Sequence, residues 1–326
     1  FCKEKGLYYF MRMLPLSVII VNWNSIELLK PCLVSLFEKN TSFDFEVIIV
    51  DNASKDSSVE VLKKEFPLVH LIESDINMGF TRANNVAIRK AKGKYILLLN
   101  PDTIIIDVNI LKKWTDFMDS NPDVGASGCK LIYEDGRHQV GDAGYMPVIN
   151  TVFNFSLFLS KLKPDRFKGI FLNYNKLSKP IEVDWISGAG FLVRKEILET
   201  VGLMDEGIFM YADDIEWGCR IRKYGYRVVY LPHMKIVHLQ GGSAKKQKEI
   251  SEFSFLWLKN IRLLFKYYNK NQPIVLYDLL ISIGFLLRAV LYFCLFIKTG
   301  KSDVKMKSHR MFKYFQFSIS VFGKHA

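Results

Sequence analysis

The chain has 326 residues, with 45 Lys and Arg against 33 Asp and Glu and a net charge of +12 at pH 7. Hydrophobic residues at 49% and aromatics at 14% suffice for a sizeable core, which excludes a disordered chain and leaves room for one large or two ordinary domains. The basic balance favours anionic partners (nucleic acid, anionic lipid or phosphorylated small molecules), while the scattered Cys2, Cys32, Cys129, Cys219 and Cys294 argue against a disulfide framework or zinc site and fit a reducing compartment.

Residues 1–13 open on Phe-Cys-Lys-Glu-Lys and read as a leader or a mistaken start, with Met11 or Met13 as alternative beginnings. They hold no apolar run long enough for a signal peptide. From there, strands and helices alternate. Leu16–Val21, Glu46–Val50, Val69–Ile72, Tyr95–Leu99 and Gly125–Ile132 read as strands. Ile26–Glu38, Asp56–Phe66, Phe80–Ala91 and Asp107–Ser120 read as helices between them. This alternation implies βαβ units and a mainly parallel sheet. Glycines are absent from the first strand-to-helix turn, Val21-Asn22-Trp23-Asn24-Ser25. A dinucleotide site and the phosphate loop of a nucleotidyltransferase both lose their support there.

The second strand ends in Asp51-Asn52-Ala53-Ser54. Asp51 can accept a hydrogen bond from the imide nitrogen of a pyrimidine base, or it and Ser54 can simply turn the chain or cap the next helix. The apolar run Tyr95–Leu99 stops at Asn100-Pro101-Asp102, because Pro101 cannot donate to a ladder. Asp102 is thereby delivered at the carboxyl edge of the sheet, where open α/β sheets bind ligands. A carboxylate there, in a basic chain, suits a cation that holds a phosphate. Further on, Trp185–Val193 reads as one strand, and a helix runs from Asp213 to a stop at Gly225. Its first turn crowds Asp213, Asp214 and Glu216 beside Trp217. The helix dipole favours one such carboxylate; three together repel one another and raise a pKa towards proton transfer.

Between Ile132 and Trp185 the pattern loosens, with Pro147, Pro164 and Pro180 as breakers. This reads as a flexible acceptor-binding segment, whose Phe153, Phe155, Phe158 and Phe171 serve as core or meet a lipid-linked acceptor. Glu249–Asn271 reads as a basic helix. The 24 positions Ile274–Ile297 are nearly all apolar and as a helix reach about 36 Å, enough to cross a bilayer. Asp278 and Arg288 within it count against simple spanning, at roughly 2.5–3.5 kcal/mol each near a membrane centre. The tail mixes Lys298, Lys301, Lys305, Lys307, Arg310 and Lys313 with aromatics, as suits an anionic inner leaflet. A helical hairpin packed on the catalytic domain or in an oligomer is the alternative. No nucleic-acid module is readable, so nucleic acid is not expected as a partner.

Taken in order, the chain resembles the family 2 glycosyltransferases, most closely their rhamnosyltransferase-like branch. The resemblance rests on Ser17–Asn24, Val50-Asp51-Asn52-Ala53-Ser54, Asn77-Met78-Gly79-Phe80 with Ala83-Asn84-Asn85, and Leu99-Asn100-Pro101-Asp102-Thr103. It continues through Gly188-Ala189-Gly190-Phe191, Met210–Glu216 and Ile236-Val237-His238. It implies an α/β GT-A nucleotide-diphospho-sugar transferase fold over 14–248, with a donor-binding half (14–130) and an acceptor half (131–248); the composition of 249–326 adds a helical extension with a membrane surface as its expected partner. It also implies donor contacts from Val21, Asn22, Asn24, Asp51, Asn77, Gly79, Arg82, Asn84, Asn100 and Asp102. Asp102 and His238 would hold Mg²⁺ or Mn²⁺, although Asn100 stands where the family's metal motif usually has its first aspartate. Asp214 would be the base, supported by Asp213, with Trp185, Gly188, Ala189, Gly190, Glu216 and Trp217 on the acceptor side. The implied activity is inverting transfer of a sugar such as L-rhamnose from a dTDP- or UDP-linked donor to a glycan or lipid-linked acceptor, at the cytoplasmic face of the plasma membrane.

Overall fold

The computed structural model describes residues 14–173, 177–239 and 253–324. The expected leader and the 248/249 boundary between catalytic and C-terminal parts lie outside the described residues. The alternating part comprises β1 (Leu16–Asn22), α1 (Ile26–Lys39), β2 (Glu46–Asn52), α2 (Ser58–Glu65), β3 (His70–Ser74), α3 (Gly79–Lys90) and β4 (Tyr95–Leu99). Next come β5 (Thr103–Ile105), α4 (Ile110–Ser120), β6 (Val124–Ile132), β7 (Ala143–Gly144), α5 (Ile149–Ser156) and α6 (Leu159–Leu162). They are followed by β8 (Ile181–Val183), β9 (Trp185–Ile186), β10 (Gly190–Arg194), α7 (Leu198–Val201), α8 (Asp213–Lys223) and β11 (Arg227–His238). Three helices close the fold: α9 (Phe253–Tyr268), α10 (Ile274–Thr299) and α11 (Ser302–Ser320).

The main sheet runs β3-β2-β1-β4-β10-β6-β11-β5, with β8 also paired to β11. Strands β3, β2, β1 and β4 are parallel. β10 lies antiparallel between β4 and β6, and β6 is parallel to β11. Both faces are covered, which explains the unbroken apolar strands. Along β1, Val18 and Ile20 join Leu29, Leu33 and Trp114 on one face; Ile19 joins Ala83, Ala87 and Trp217 on the other. The carboxyl ends of β1, β2 and β4 therefore meet at one edge.

Two expectations need correction. The strand expected over Trp185–Val193 is broken: β9 pairs with β7 in a separate two-stranded sheet, while β10 sits in the main one. The chain bends at Ser187-Gly188-Ala189, where the Ser187 N–H donates to Asp142 O at 2.8 Å and the Gly190 N–H to Ser187 O at 3.1 Å. Much of the segment before it, expected as loose, is packed. α5 packs on α10, Phe155 and Phe171 join an aromatic cluster with Trp185 and Trp257, and Phe153 is the outward-facing one of the four expected phenylalanines. Arg288 lies over the Phe155 and Phe158 rings at 4.2 and 4.3 Å. Arg288 lies more than 120 residues downstream of those two rings, beyond the reach of local periodicity.

The C-terminal helices pack onto the sheet domain. Asp278 of α10 meets Arg262 of α9 through two hydrogen bonds of 2.7 and 3.0 Å, both side chains buried. Arg262 also donates to Lys324 O at 2.9 Å, and the Gly323 N–H donates to Asp278 at 3.0 Å. The charges inside α10 are thus satisfied by protein. Removing one partner strands the other: Arg262→Ala should cost about 3–5 kcal/mol. Urea unfolding followed by tryptophan fluorescence measures it, and the double variant Arg262→Met/Asp278→Leu should recover most of the loss.

Candidate active site

The donor edge is built by side chains that hold the turns after β1, β2 and β3. Asn22 and Asp51 are register partners on adjacent strands, and Asn22 Nδ2 donates to Asp51 at 2.9 Å. The Ser54 N–H donates to the other Asp51 oxygen at 2.9 Å, leaving each oxygen one further lone pair. Ser54 Oγ accepts from the Asn24 N–H at 2.9 Å, so the two turns lock together. Asn24 itself has φ 50°, a conformation asparagine tolerates. Asn52 and Asn77 form the next latch at 2.9 Å, and Asn77 caps the Gly79 N–H at 2.9 Å. Gly79 has φ +78°, and a Cβ there would lie 2.5 Å from the Phe209 ring, so only glycine fits.

At the end of β4, Asp102 and His238 come together from elements 136 residues apart in the chain. His238 Nε2 lies 3.1 Å from Asp102 Oδ1 and 3.5 Å from Asn100 Nδ2. His238 Nδ1 meets Gln139 Oε1 at 2.7 Å, so the ring is held between the Gln139 amide and the Asp102 carboxylate. Adjacent ligands of an octahedral ion with bonds of roughly 2.1 Å stand about 3.0 Å apart, which the His238–Asp102 pair matches. Among the described residues no cluster of three His, Cys, Asp or Glu is present, so further ligands would be donor phosphates and water. Sequence reasoning missed Gln139. It is buried with an unpartnered Nε2, and no periodic or motif signal marks it.

The acidic pair is delivered by a strained loop. Tyr211 and Ala212 both have φ 64°, the left-handed region, at a cost of roughly 1–2 kcal/mol each. α3 holds the preceding residues: the Phe80 N–H donates to Phe209 O at 2.9 Å, and Asn85 bonds Met204 through both its amide atoms. From the other side, Asn260 Nδ2 of α9 donates to Met210 O and Tyr211 O at 3.1 and 3.0 Å. α8 then starts with Asp213 buried and Asp214 half-buried. Asp214 accepts from the Gly188 N–H at 3.2 Å and the Ile215 N–H at 2.9 Å. Burial pushes its carboxyl up to about 6, against these two amides, which hold it down. Burial, and then the charge of Asp214, drive Asp213 well above the usual carboxylate range. The two carboxyls share one desolvated site and titrate as a unit, both held above the ordinary carboxylate range.

The residues that join the two centres are few. Gly190 pairs with Leu99, the Asn100 N–H reaches Ala189 O at 3.5 Å, and Gly188 bonds Asp214. Asp214 and the Asn100–Asp102 turn thus flank one short segment. Other expected site residues lie elsewhere. Asn84 is buried and donates to Phe80 O within its own helix, so it does not line the donor edge. Arg82 is exposed on α3. Trp185 and Trp217 are fully buried, donating to Ile170 O and Gly202 O, and act as core behind the cleft wall. Glu216 points away into a bidentate pair with Arg220 and a 2.8 Å bond from Tyr268. Gly190 faces the interior: a Cβ there would meet Cys129 Sγ at 3.0 Å.

A parallel sheet half, a carboxylate–histidine pair at its edge and a raised-pKa acid across a short bridge define a GT-A nucleotide-sugar transferase fold. A mannosyltransferase from Pyrobaculum calidifontis, solved with GDP-Man and Mn²⁺, shares that fold at TM-score 0.57 and 18% identity, covering 94% of this chain and 86% of that one. The family model described as "Glycosyl transferase family 2" matches residues 17–202, and the chain belongs to that family. The dTDP-rhamnosyl transferase RfbF of Shigella flexneri is 28% identical over 303 residues, 89% of this chain and 91% of its own length. The O-antigen biosynthesis protein RfbC of Myxococcus xanthus is 25% identical over 236 residues, 70% of this chain; the chain spans only 18% of that relative's length.

Removing the Asn260 amide deletes two hydrogen bonds of about 1 kcal/mol each from the strained loop. In Asn260→Ala, amide exchange over residues 211–216 should accelerate about 10- to 30-fold, with exchange in β1 and β4 unchanged. Exchange mass spectrometry reads both.

Proposed function

We propose that the protein is an inverting glycosyltransferase that moves a sugar from a dTDP- or UDP-linked donor to a hydroxyl of a glycan or lipid-linked acceptor. The observation that carries this reading is the position of Asp214, fastened to Gly188 and lying one short segment from the Asp102–His238 pair. Asp214 takes the proton of the acceptor hydroxyl as that oxygen attacks the anomeric carbon, and the bond from that carbon to the nucleoside diphosphate breaks on the opposite face. A divalent ion, Mg²⁺ or Mn²⁺, held by Asp102 and His238 would neutralise charge on the diphosphate. Gln139 orients His238, Asp213 shares the desolvated site of Asp214, and the Asn22–Asp51–Ser54 turn presents backbone and carboxylate to the base. Rhamnose as the sugar, and a surface polysaccharide as the product, are supported by the names of RfbF and RfbC. A lipid-linked acceptor places the reaction at the cytoplasmic face of the membrane.

Asp214→Asn should lower kcat about 10²- to 10⁴-fold while nucleotide-sugar still raises the unfolding temperature in the presence of Mn²⁺. Equal turnover by that variant removes the proposed base. Because the base must be ionised, wild-type kcat should rise with pH through about 6 and level off above it. The stability sign is opposite: a carboxyl raised in the folded state contributes stability below its ordinary range and loses it as pH rises through about 6. Thermal unfolding of Asp214→Asn should therefore gain on wild type between about pH 4 and pH 7. Gln139→Leu should weaken Mn²⁺ binding in the presence of UDP about 10- to 100-fold, read by the electron paramagnetic resonance of free Mn²⁺.

A further inference from the structure

The exposed face of α10 is a single apolar stripe as far as Val290. Leu276, Leu279, Ile283, Leu287 and Val290 recur at three- and four-residue spacing, each 37–52% exposed, and beyond Val290 the helix is exposed on most sides. At 1.5 Å per residue, the 26 residues of α10 extend about 39 Å. The opposite face is packed: Tyr277, Ile281, Phe285 and Ala289 are buried, and Ser282 and the Ala289 carbonyl bond Ser318 and Ser308 of α11. Asp278 and Arg288, the charges within the helix, both turn inward. The stripe therefore carries no charge before Lys298.

What surrounds the stripe is cationic. Lys298, Lys301, Lys305, Lys307, Arg310 and Lys313 cluster at its C-terminal end and along α11. Lys305 lies over the Phe296 ring at 5.6 Å, placing a cation beside α10. Against these stands Asp303, 3.9 Å from Lys307. A second copy docked on this face would bring two such clusters into one assembly with no acidic patch to meet them. An anionic surface with an apolar interior complements both features.

We propose that α10 and α11 form an in-plane anchor on an anionic lipid surface, α10 sinking its stripe into the acyl boundary while the cations engage headgroups. As far as Ala289 one face of α10 is packed on α5 and α11, so this stretch lies along the membrane with only its outer face in lipid. This inference does not rest on the sugar-transfer reading.

The test uses the full chain with vesicles of phosphatidylcholine alone or mixed with phosphatidylglycerol. Sedimentation should show binding to the mixed vesicles that falls roughly tenfold as salt rises from about 0.1 to 0.5 M. Ile283→Glu/Leu287→Glu should abolish it, and Lys305→Glu/Arg310→Glu should remove the preference for anionic lipid. All four positions are exposed, so unfolding temperatures should match wild type. An environment-sensitive probe on the exposed Cys294, or on Leu279→Cys or Val290→Cys, should report one shallow depth at all three positions. A depth gradient along the helix, unimpaired binding by the glutamate variants, or a dimer that they dissociate without any vesicle binding would each overturn the proposal.

Discussion

The bond from the Gly188 N–H to Asp214 is the contact around which the cleft is organised. It exists because the chain leaves β9, bends through Ser187–Ala189 and only then enters β10 beside β4. A continuous strand would aim that amide into a ladder. The break turns it outward to the first turn of α8, and the next residues pass directly to the end of β4. The spacing between Asp214 and the carboxylate–histidine pair is therefore set by backbone next to the sheet, which is stiffer than any pair of long side chains.

The acids sit on a costly segment. Two consecutive left-handed residues and a buried carboxyl pair oppose folding locally, and contacts on both sides of the loop offset them. α3 grips residues 204–209 from the donor side; Asn260 grips 210 and 211 from α9. α9 is in turn tied to α10 through Arg262 and Asp278. The C-terminal helices, compositionally distinct, are thus part of the frame that holds the acidic pair. A disturbance of α10 has a continuous route of packed and hydrogen-bonded contacts to Asp214.

Much of the fold was legible from the residues. Alternating apolar runs and helical periods reproduce β1 to β4 and their helices to within a few positions, because each of those elements is long and locally self-consistent. Pro101 marked the end of β4 and Asp102 as an edge residue. Boundaries slipped where tertiary contacts overrode local signal: β5 follows Asp102 because β11 supplies its partner, and α5 forms where it packs on α10. Within the site, residue types were visible but their uses were not. Trp217, Glu216 and Asn84 sit among site residues in the chain, yet their side chains are spent on core packing, an ion pair and a helix carbonyl.

The sequence by itself determined the parallel half of the sheet, the delivery of Asp51 and Asp102 to its edge, the acidic opening of α8 and the apolar length of α10. These follow from short-range rules of period, turn chemistry and capping. Only the tertiary structure decided that His238 faces Asp102 with Gln139 behind it, that Asp213 and Asp214 are desolvated together, and that the charges of α10 turn inward to leave one bare face. Those outcomes depend on burial and on partners tens to more than a hundred residues away, and desolvation is a property of the packed molecule that no local stretch of residues contains.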